Sequence, residues 1–177
     1  VDVCAKVLIE RDKAAGLPPD PSYRVVVRHL HALGRNGQKT GSGCYRYERH
    51  KTQPDPVVDG ITVELAAQLG VARRNDIGEQ EIRERLLYPL INEGTRILEE
   101  GIAYRASDID VVWTNGYGFP DVLGGPMFHA EQVGLAHIAQ RLAYYADTRG
   151  NPHGYWTCSE LLRNAAAQGR GLDTSHE

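Results

Sequence analysis

The feature that most constrains this chain is the stretch "GEQEIRERLLYPLINEGTRILEE", residues 78–100. Ile82, Leu86, Leu87, Leu90, Ile91, Ile97 and Leu98 recur at helical spacing. The pattern predicts one long amphipathic helix with a single apolar stripe, closed by Gly101. Pro89 lies inside the stretch, removes one backbone hydrogen bond and is expected to kink it. A helix of this length needs other helices to bury its stripe, and the rest of the chain supplies them. Val3, Val7 and Leu8 predict a helix over 1–15 that ends near Gly16. Residues 22–33 read as a second helix, with Ser22 as its cap and Gly34 as its stop; the VVV run makes a short strand the rival reading. Residues 57–70 carry Ile61, Leu65 and Leu69 four apart. Residues 107–116 read as a short helix favoured at its start by Ser107 and Asp108. Residues 127–149 read as one long helix, 158–169 as a terminal one, and 169–177 as a frayed tail. The expected fold is all-α.

Two connectors punctuate this order. "GLPPDP" (16–21) is stiff and extended, because proline fixes φ and biases its predecessor away from helix. "KTQPDP" (51–56) is polar and proline-broken, and the boundary between two units is placed there, giving 1–55 and 56–177. Between them, "GRNGQKTGSGCYRY" (34–47) is a glycine-punctuated loop that leads into a short extended piece, with Tyr45 and Tyr47 on one side.

Composition narrows the function classes. With a net charge of −3 and scattered charges, the chain has no electrostatic footprint for nucleic acid. No apolar run approaches the about 20 residues that span a bilayer. The opening "VDVCAKVLIERDK" has no signal-peptide pattern and no initiator Met, so a piece of a longer protein is expected. Cys4, Cys44 and Cys158 are widely spaced and form no CxxC pair, which fits a reducing compartment.

Catalytic and ligand motifs mostly fail on spacing. "GRNGQKTG" lacks the adjacent Gly-Lys-Ser/Thr of a phosphate loop, and no βαβ unit supports a dinucleotide fingerprint. His29 and His31 diverge on a helix. His129, Glu131 and His137 share a predicted helix, but the histidines are two turns apart. Glu99–Glu100 and Asp108–Asp110 sit at a helix end and a helix start, where the macrodipole accounts for the latter pair. The segment "TNGYGFPDVLGGPMFHAEQVG" (114–134) stands out differently. Glycines 116, 118, 124 and 125 permit positive φ or close approach, and Pro120 and Pro126 lock the corners. It reads as a rigid corner, either purely structural or facing a ligand or partner domain.

The ordered pieces "RLLYPLINE" (85–93), "LEEGIA" (98–103), "DID" (108–110), "GYGFP" (116–120) and "GGP" (124–126) resemble the C-terminal helical domain of 3-hydroxyacyl-CoA dehydrogenases. They are most similar to the second copy of that domain in multifunctional fatty-acid β-oxidation enzymes. "LGRNGQKTGSGCYRY" (33–47) resembles the close of the first copy. The resemblance implies a parent enzyme that uses NAD, bound by a separate Rossmann domain that also carries the catalytic histidine. It implies acyl-CoA as substrate, a helical domain that closes over it, and helical-domain pairing. The family's assisting asparagine falls on Glu84 of the Glu84-Arg85 pair, so that role does not carry over. A substrate-touching position just before the glycine corner falls on Asn115, the one substrate-binding residue the resemblance implies. Glu93, Asp110 and Arg85 match family positions and are expected to form internal ion pairs and caps. The expected compartment is a bacterial cytoplasm, with the peroxisome as the alternative. A non-catalytic helical interaction module is the competing reading.

Overall fold

A computed structural model describes residues 1–49, 51–151 and 154–172. The described residues are all-α apart from one small hairpin, and the chain divides into two compact units, Val1–Asn75 and Asp76–Glu177.

The first unit holds α1 (Asp2–Lys13), α2 (Val25–Ala32), a hairpin of β1 (Arg46–Glu48) and β2 (Lys51–Gln53), and α3 (Pro56–Gln68). The VVV run is helical, so the strand reading falls. Ser22 is not the cap of α2: that place is taken by Arg24 in a left-handed conformation, φ 50°. The Ser22 hydroxyl instead donates to Asp20 at 2.8 Å. β1 and β2 pair antiparallel, with Tyr47 opposite Thr52. "KTQPDP" is therefore no loose connector: its first half is β2, and Asp55 begins α3. The buried Asp55 carboxylate accepts from Val57 N at 3.1 Å and pairs with Arg35. Arg35 also donates to the Gly43 carbonyl, so one guanidinium ties the glycine loop to α3. These bonds hold the start of α3 to the first compact unit. Ala5, Leu8, Leu30 and Leu65 are the buried apolar side chains of this unit.

The second unit is a helical cluster: α4 (Glu79–Glu99), α5 (Ala106–Gly116), α6 (Pro126–Val133), α7 (Leu135–Arg149) and α8 (Glu160–Gln168). The expected helix over 127–149 is two helices, because Gly134 at φ 100° breaks it into α6 and α7. His129 and Glu131 therefore do not share a helix with His137. α4 runs unbroken through Pro89. Its buried face differs from the apolar stripe: Glu84, Tyr88, Ile91, Asn92 and Thr95 point inward, while Ile82 and Leu86 are exposed. The core gathers Tyr88, Ile91, Met127, Ile138, Leu142, Tyr145, Trp156 and Leu162. Burial at roughly 25 cal/mol per Å² of apolar surface is the main force holding these helices. Ser159 caps α8 through its hydroxyl, accepting from Leu162 N at 3.2 Å. The expected fray beyond residue 169 is corrected up to Leu172, which is buried and whose N–H donates to Glu131 at 2.6 Å. Residues 173–177 lie outside the described residues.

Candidate functional site

The glycine corner joins α5 to α6, and one carboxylate sets its shape. Asp110 belongs to α5, yet it accepts from Met127 N at 2.7 Å and Phe128 N at 3.0 Å. Those are two of the orphan donors at the start of α6. Asp110 is thus a helix cap supplied from another helix, and the macrodipole it serves is that of α6 rather than its own. Gly125, at φ 107°, lies so close that a Cβ there would sit 2.4 Å from Asp110. Pro126 occupies the first turn of α6, where a missing N–H costs nothing. Phe119 is buried beneath the corner, its N–H donating to the Trp113 carbonyl at 3.0 Å. The corner is stiff. At the start of α5, Ser107 is not the cap; Arg105 is, with the Asp108 carboxylate accepting from its N–H at 3.1 Å.

Asn115 lies on the exposed last turn of α5. Its side-chain amide donates back to its own helix, to the Val111 carbonyl at 2.9 Å and Thr114 Oγ1 at 3.3 Å. Beside it is a cleft of about 510 Å³ lined by Ile97, Ile102, Ile109, Val112, Trp113 and Tyr117. Asn115 does not line this cleft. Trp113 and Tyr117 do, with ring centroids 4.9 Å apart. The spacing of Ile109 and Trp113 on α5 and of Tyr117 just past its end, four apart in turn, was the available signal for this concavity.

The carboxylate of Glu84, on α4, is buried. It accepts from Arg141 Nε at 2.6 Å, from the Tyr145 hydroxyl at 2.7 Å and from Gln80 at 2.9 Å. Arg141 also donates to Tyr145 Oη at 3.0 Å and stacks over Tyr144, 4.3 Å from its ring centroid. Burial pushes the Glu84 carboxyl up, but the bonds from Tyr145, Arg141 and Gln80 outweigh it and hold the group below its ordinary value. Burial, and then the hydrogen bond to Glu84, push the Tyr145 phenol up. The result is a fixed carboxylate, a fixed guanidinium and a protonated phenol, which is a clamp between α4 and α7 rather than a proton relay. A second polar cluster ties α4 to the start of α8. Asn92 donates to the Thr157 carbonyl at 2.9 Å and accepts from Ser159 N at 2.8 Å, while Thr95 and Ser159 hydroxyls meet at 2.7 Å. Two further pairs lie nearer solvent: exposed Glu93 with Arg96 at 3.3 Å, and exposed Arg85 with the half-buried Glu81 at 3.4 Å.

The described residues do not fit a dinucleotide. Their sheet consists of two three-residue strands, and a pyrophosphate cradle needs a strand feeding a glycine turn and helix. The glycine loop over 34–43 is spent on itself: Lys39 pairs with Asp2, and Thr40 Oγ1 donates to the Ser42 carbonyl at 3.0 Å. Among the described residues no cluster of three His, Cys, Asp or Glu could hold a metal ion, and no helix is long and apolar enough to cross a membrane. His31 is bonded to Asn36 at 2.7 Å, and His137 meets the Tyr88 ring edge-on.

Comparison with known proteins agrees with this scaffold. The peroxisomal bifunctional enzyme of Danio rerio is 43% identical over 140 residues, 77% of this chain and 19% of its own length. That of Homo sapiens is 43% identical over 143 residues, again 77% and 19%. The chain thus spans about a fifth of the length of the curated relatives it matches. The crystal structure of the dehydrogenase part of multifunctional enzyme 1 from C. elegans superposes with a TM-score of 0.61 at 25% identity, covering 90% of this chain and 36% of that one. The family described as 3-hydroxyacyl-CoA dehydrogenase, C-terminal domain, matches residues 82–175, which include the corner, the clamp and the aromatic cleft. This chain belongs to the 3-hydroxyacyl-CoA dehydrogenase C-terminal domain family.

Proposed function

We propose that the chain is the C-terminal helical part of an NAD-dependent 3-hydroxyacyl-CoA dehydrogenase of the multifunctional β-oxidation type. Its work is to form one wall of the acyl-CoA site and to pack the domains around it. The observation that supports this most is the union of family motif and geometry at the corner, where Asp110, Gly125 and Pro126 build a fixed turn beside an apolar cleft. Hydride transfer to NAD, and proton removal from the 3-hydroxyl, belong to a nucleotide-binding domain elsewhere in the polypeptide. Asn115 contributes at the rim of the substrate site, if its amide turns away from Val111. Residues 1–55 close a first helical repeat and 56–177 form the second, a division supported by motif order. Pairing of helical domains belongs to the same reading. The names of the relatives favour the peroxisome over a bacterial cytoplasm.

Reading the gene upstream of Val1 and assaying its full product test this. A strand–glycine turn–helix fingerprint upstream, with oxidation of NADH by acetoacetyl-CoA, is the expected result. An unrelated upstream domain, with no such turnover, would leave the interaction-module reading in its place.

A further inference from the structure

One polar group buried in the second unit has no use in the fold. Tyr88 is 6% exposed, and its ring meets His137 of α7 edge-on, 6.2 Å between centroids. The polar side chains buried near it are answered: Glu84 by Arg141, Asn92 and Thr95 by the segment that starts α8, Asp110 by the start of α6. The Tyr88 hydroxyl has no hydrogen-bond partner among the described residues. Buried polar groups are paired in the great majority of cases, and phenylalanine would fill the same core without the oxygen. Among the described residues no side-chain oxygen is both fully buried and unpaired, so this hydroxyl opens onto accessible space.

That space is a pocket of about 540 Å³ between the first half of α4 and α6. Leu87 and Val133 give it an apolar side, and Glu84, Tyr88 and His129 a polar one. Small-molecule sites run to roughly 300–1,000 Å³ and set a few convergent polar groups among apolar walls. His129 is half-buried, and its imidazole has no hydrogen-bond partner among the described residues, meeting instead the ring of Phe119 at 6.4 Å. Charge in the pocket is balanced. Arg141, Tyr145 and Gln80 answer Glu84, and at the exposed rim Arg83 pairs with Glu79 at 3.1 Å. An anion would face the Glu84 carboxylate. Burial, and after it the Glu84 charge, hold the Tyr88 phenol above its ordinary range, so it stays protonated and donates. A cation has no lone pair to accept that proton.

We infer that this pocket binds an uncharged amide, its carbonyl oxygen accepting from the Tyr88 hydroxyl and its apolar part lying on Leu87 and Val133. An amide suits the pair of polar groups, because it carries a donor beside its acceptor and a neutral imidazole offers one of each. Two sources have this chemistry: the uncharged amide-bearing arm of an acyl-CoA, and the backbone of a peptide segment. The pocket itself does not depend on the proposed function; the first source does.

Calorimetric titration of the 177-residue chain with pantetheine and, separately, with N-acetylalanine methylamide tests this, since both probes are uncharged amides. Binding of pantetheine alone names the coenzyme arm as the source, and binding of the short peptide amide, alone or as well, names the backbone. Either binding is expected to weaken at least tenfold in Tyr88→Phe. That variant loses only an oxygen with no partner in the fold, so its urea midpoint by tryptophan fluorescence is expected to match that of the parent chain. Failure of both probes to bind at millimolar concentration, or equal binding by Tyr88→Phe, would overturn the inference. So would a lowered midpoint in Tyr88→Phe, which would show the hydroxyl already bonded within the chain. NADH turnover by the full gene product is read separately: turnover without binding in the pocket sinks this inference alone, and binding without turnover sinks the proposed function alone.

Discussion

The two units of this chain reach order by different means. In Asp76–Glu177, five helices enclose a continuous apolar core, and among the described residues every fully buried side-chain nitrogen and oxygen has a hydrogen-bond partner. In Val1–Asn75, a few apolar side chains are supplemented by local ties: Arg35 to Asp55 and Gly43, Lys39 to Asp2, and Arg24 to Cys4 at 3.1 Å. Ala15, Arg24 and Arg49, the non-glycine residues at positive φ among the described residues, also all lie in this unit. Left-handed backbone costs a non-glycine residue about 1–2 kcal/mol. A unit with a small core and three such residues has little stability in reserve. The comparison teaches that the second unit is a finished scaffold and the first an element that relies on stitches.

The sharpest way to break this comparison is to strike the clamp of the second unit. Arg141→Met leaves the buried Glu84 carboxylate uncompensated, and such losses cost about 3–5 kcal/mol. Both tryptophans, Trp113 and Trp156, lie in that unit, so urea unfolding followed by tryptophan fluorescence reads it directly. The midpoint should fall sharply while amide exchange over α1 and α2 stays unchanged. Next is the corner. Gly125→Ala meets Asp110 and an unfavourable φ together, and about 3 kcal/mol is expected from strain plus a disturbed cap. Gly134→Ala has open space for its methyl group and should cost only the strain, about 1 kcal/mol. Near-equal losses would remove Asp110 from its capping role.

In the first unit, Leu30→Ala removes a fully buried side chain, with about 2 kcal/mol expected because a sparse core collapses readily. Exchange should rise together over α1, α2 and α3, and tryptophan fluorescence should not notice. Acid has the smallest effect and acts on both units. Asp55 is held below its ordinary value of 3.8 by Arg35 and the Val57 N–H, and Glu84 below 4.5 by the bonds that outweigh its burial. A depressed carboxyl stabilises the fold above its unfolded pKa, and that contribution disappears as pH falls through the lower folded value. Stability should therefore be flat above pH 4.5 and decline below it, and Glu84→Gln should flatten the decline in the tryptophan-reported unit alone.

How much of this could be read from the chain depends on how local each signal is. Helix ends at Gly34, Gly70 and Gly101 were legible, and all three glycines are at positive φ. The ordered motifs located the corner, whereas the partners of Glu84 were not foreseen. The buried face of α4 was not legible, because its inward polar residues find partners far along the chain. Glu84 meets Arg141 57 residues away, and Asn92 meets Thr157 65 residues away. Apolar periodicity therefore pointed to Ile82 and Leu86, which the fold leaves in solvent. The break at Gly134 was missed because a lone glycine inside a helical pattern is usually tolerated. Asn115 was proposed through its place in the resembling motif, and such a place does not tell which side of a helix end opens on a cleft.

The central claim is that these helices support chemistry performed elsewhere. Purified 177-residue chain, mixed with acetoacetyl-CoA and NADH, puts it to the test through the absorbance of NADH. The account predicts no decay above the buffer rate. Steady, enzyme-proportional oxidation by the chain alone would contradict it.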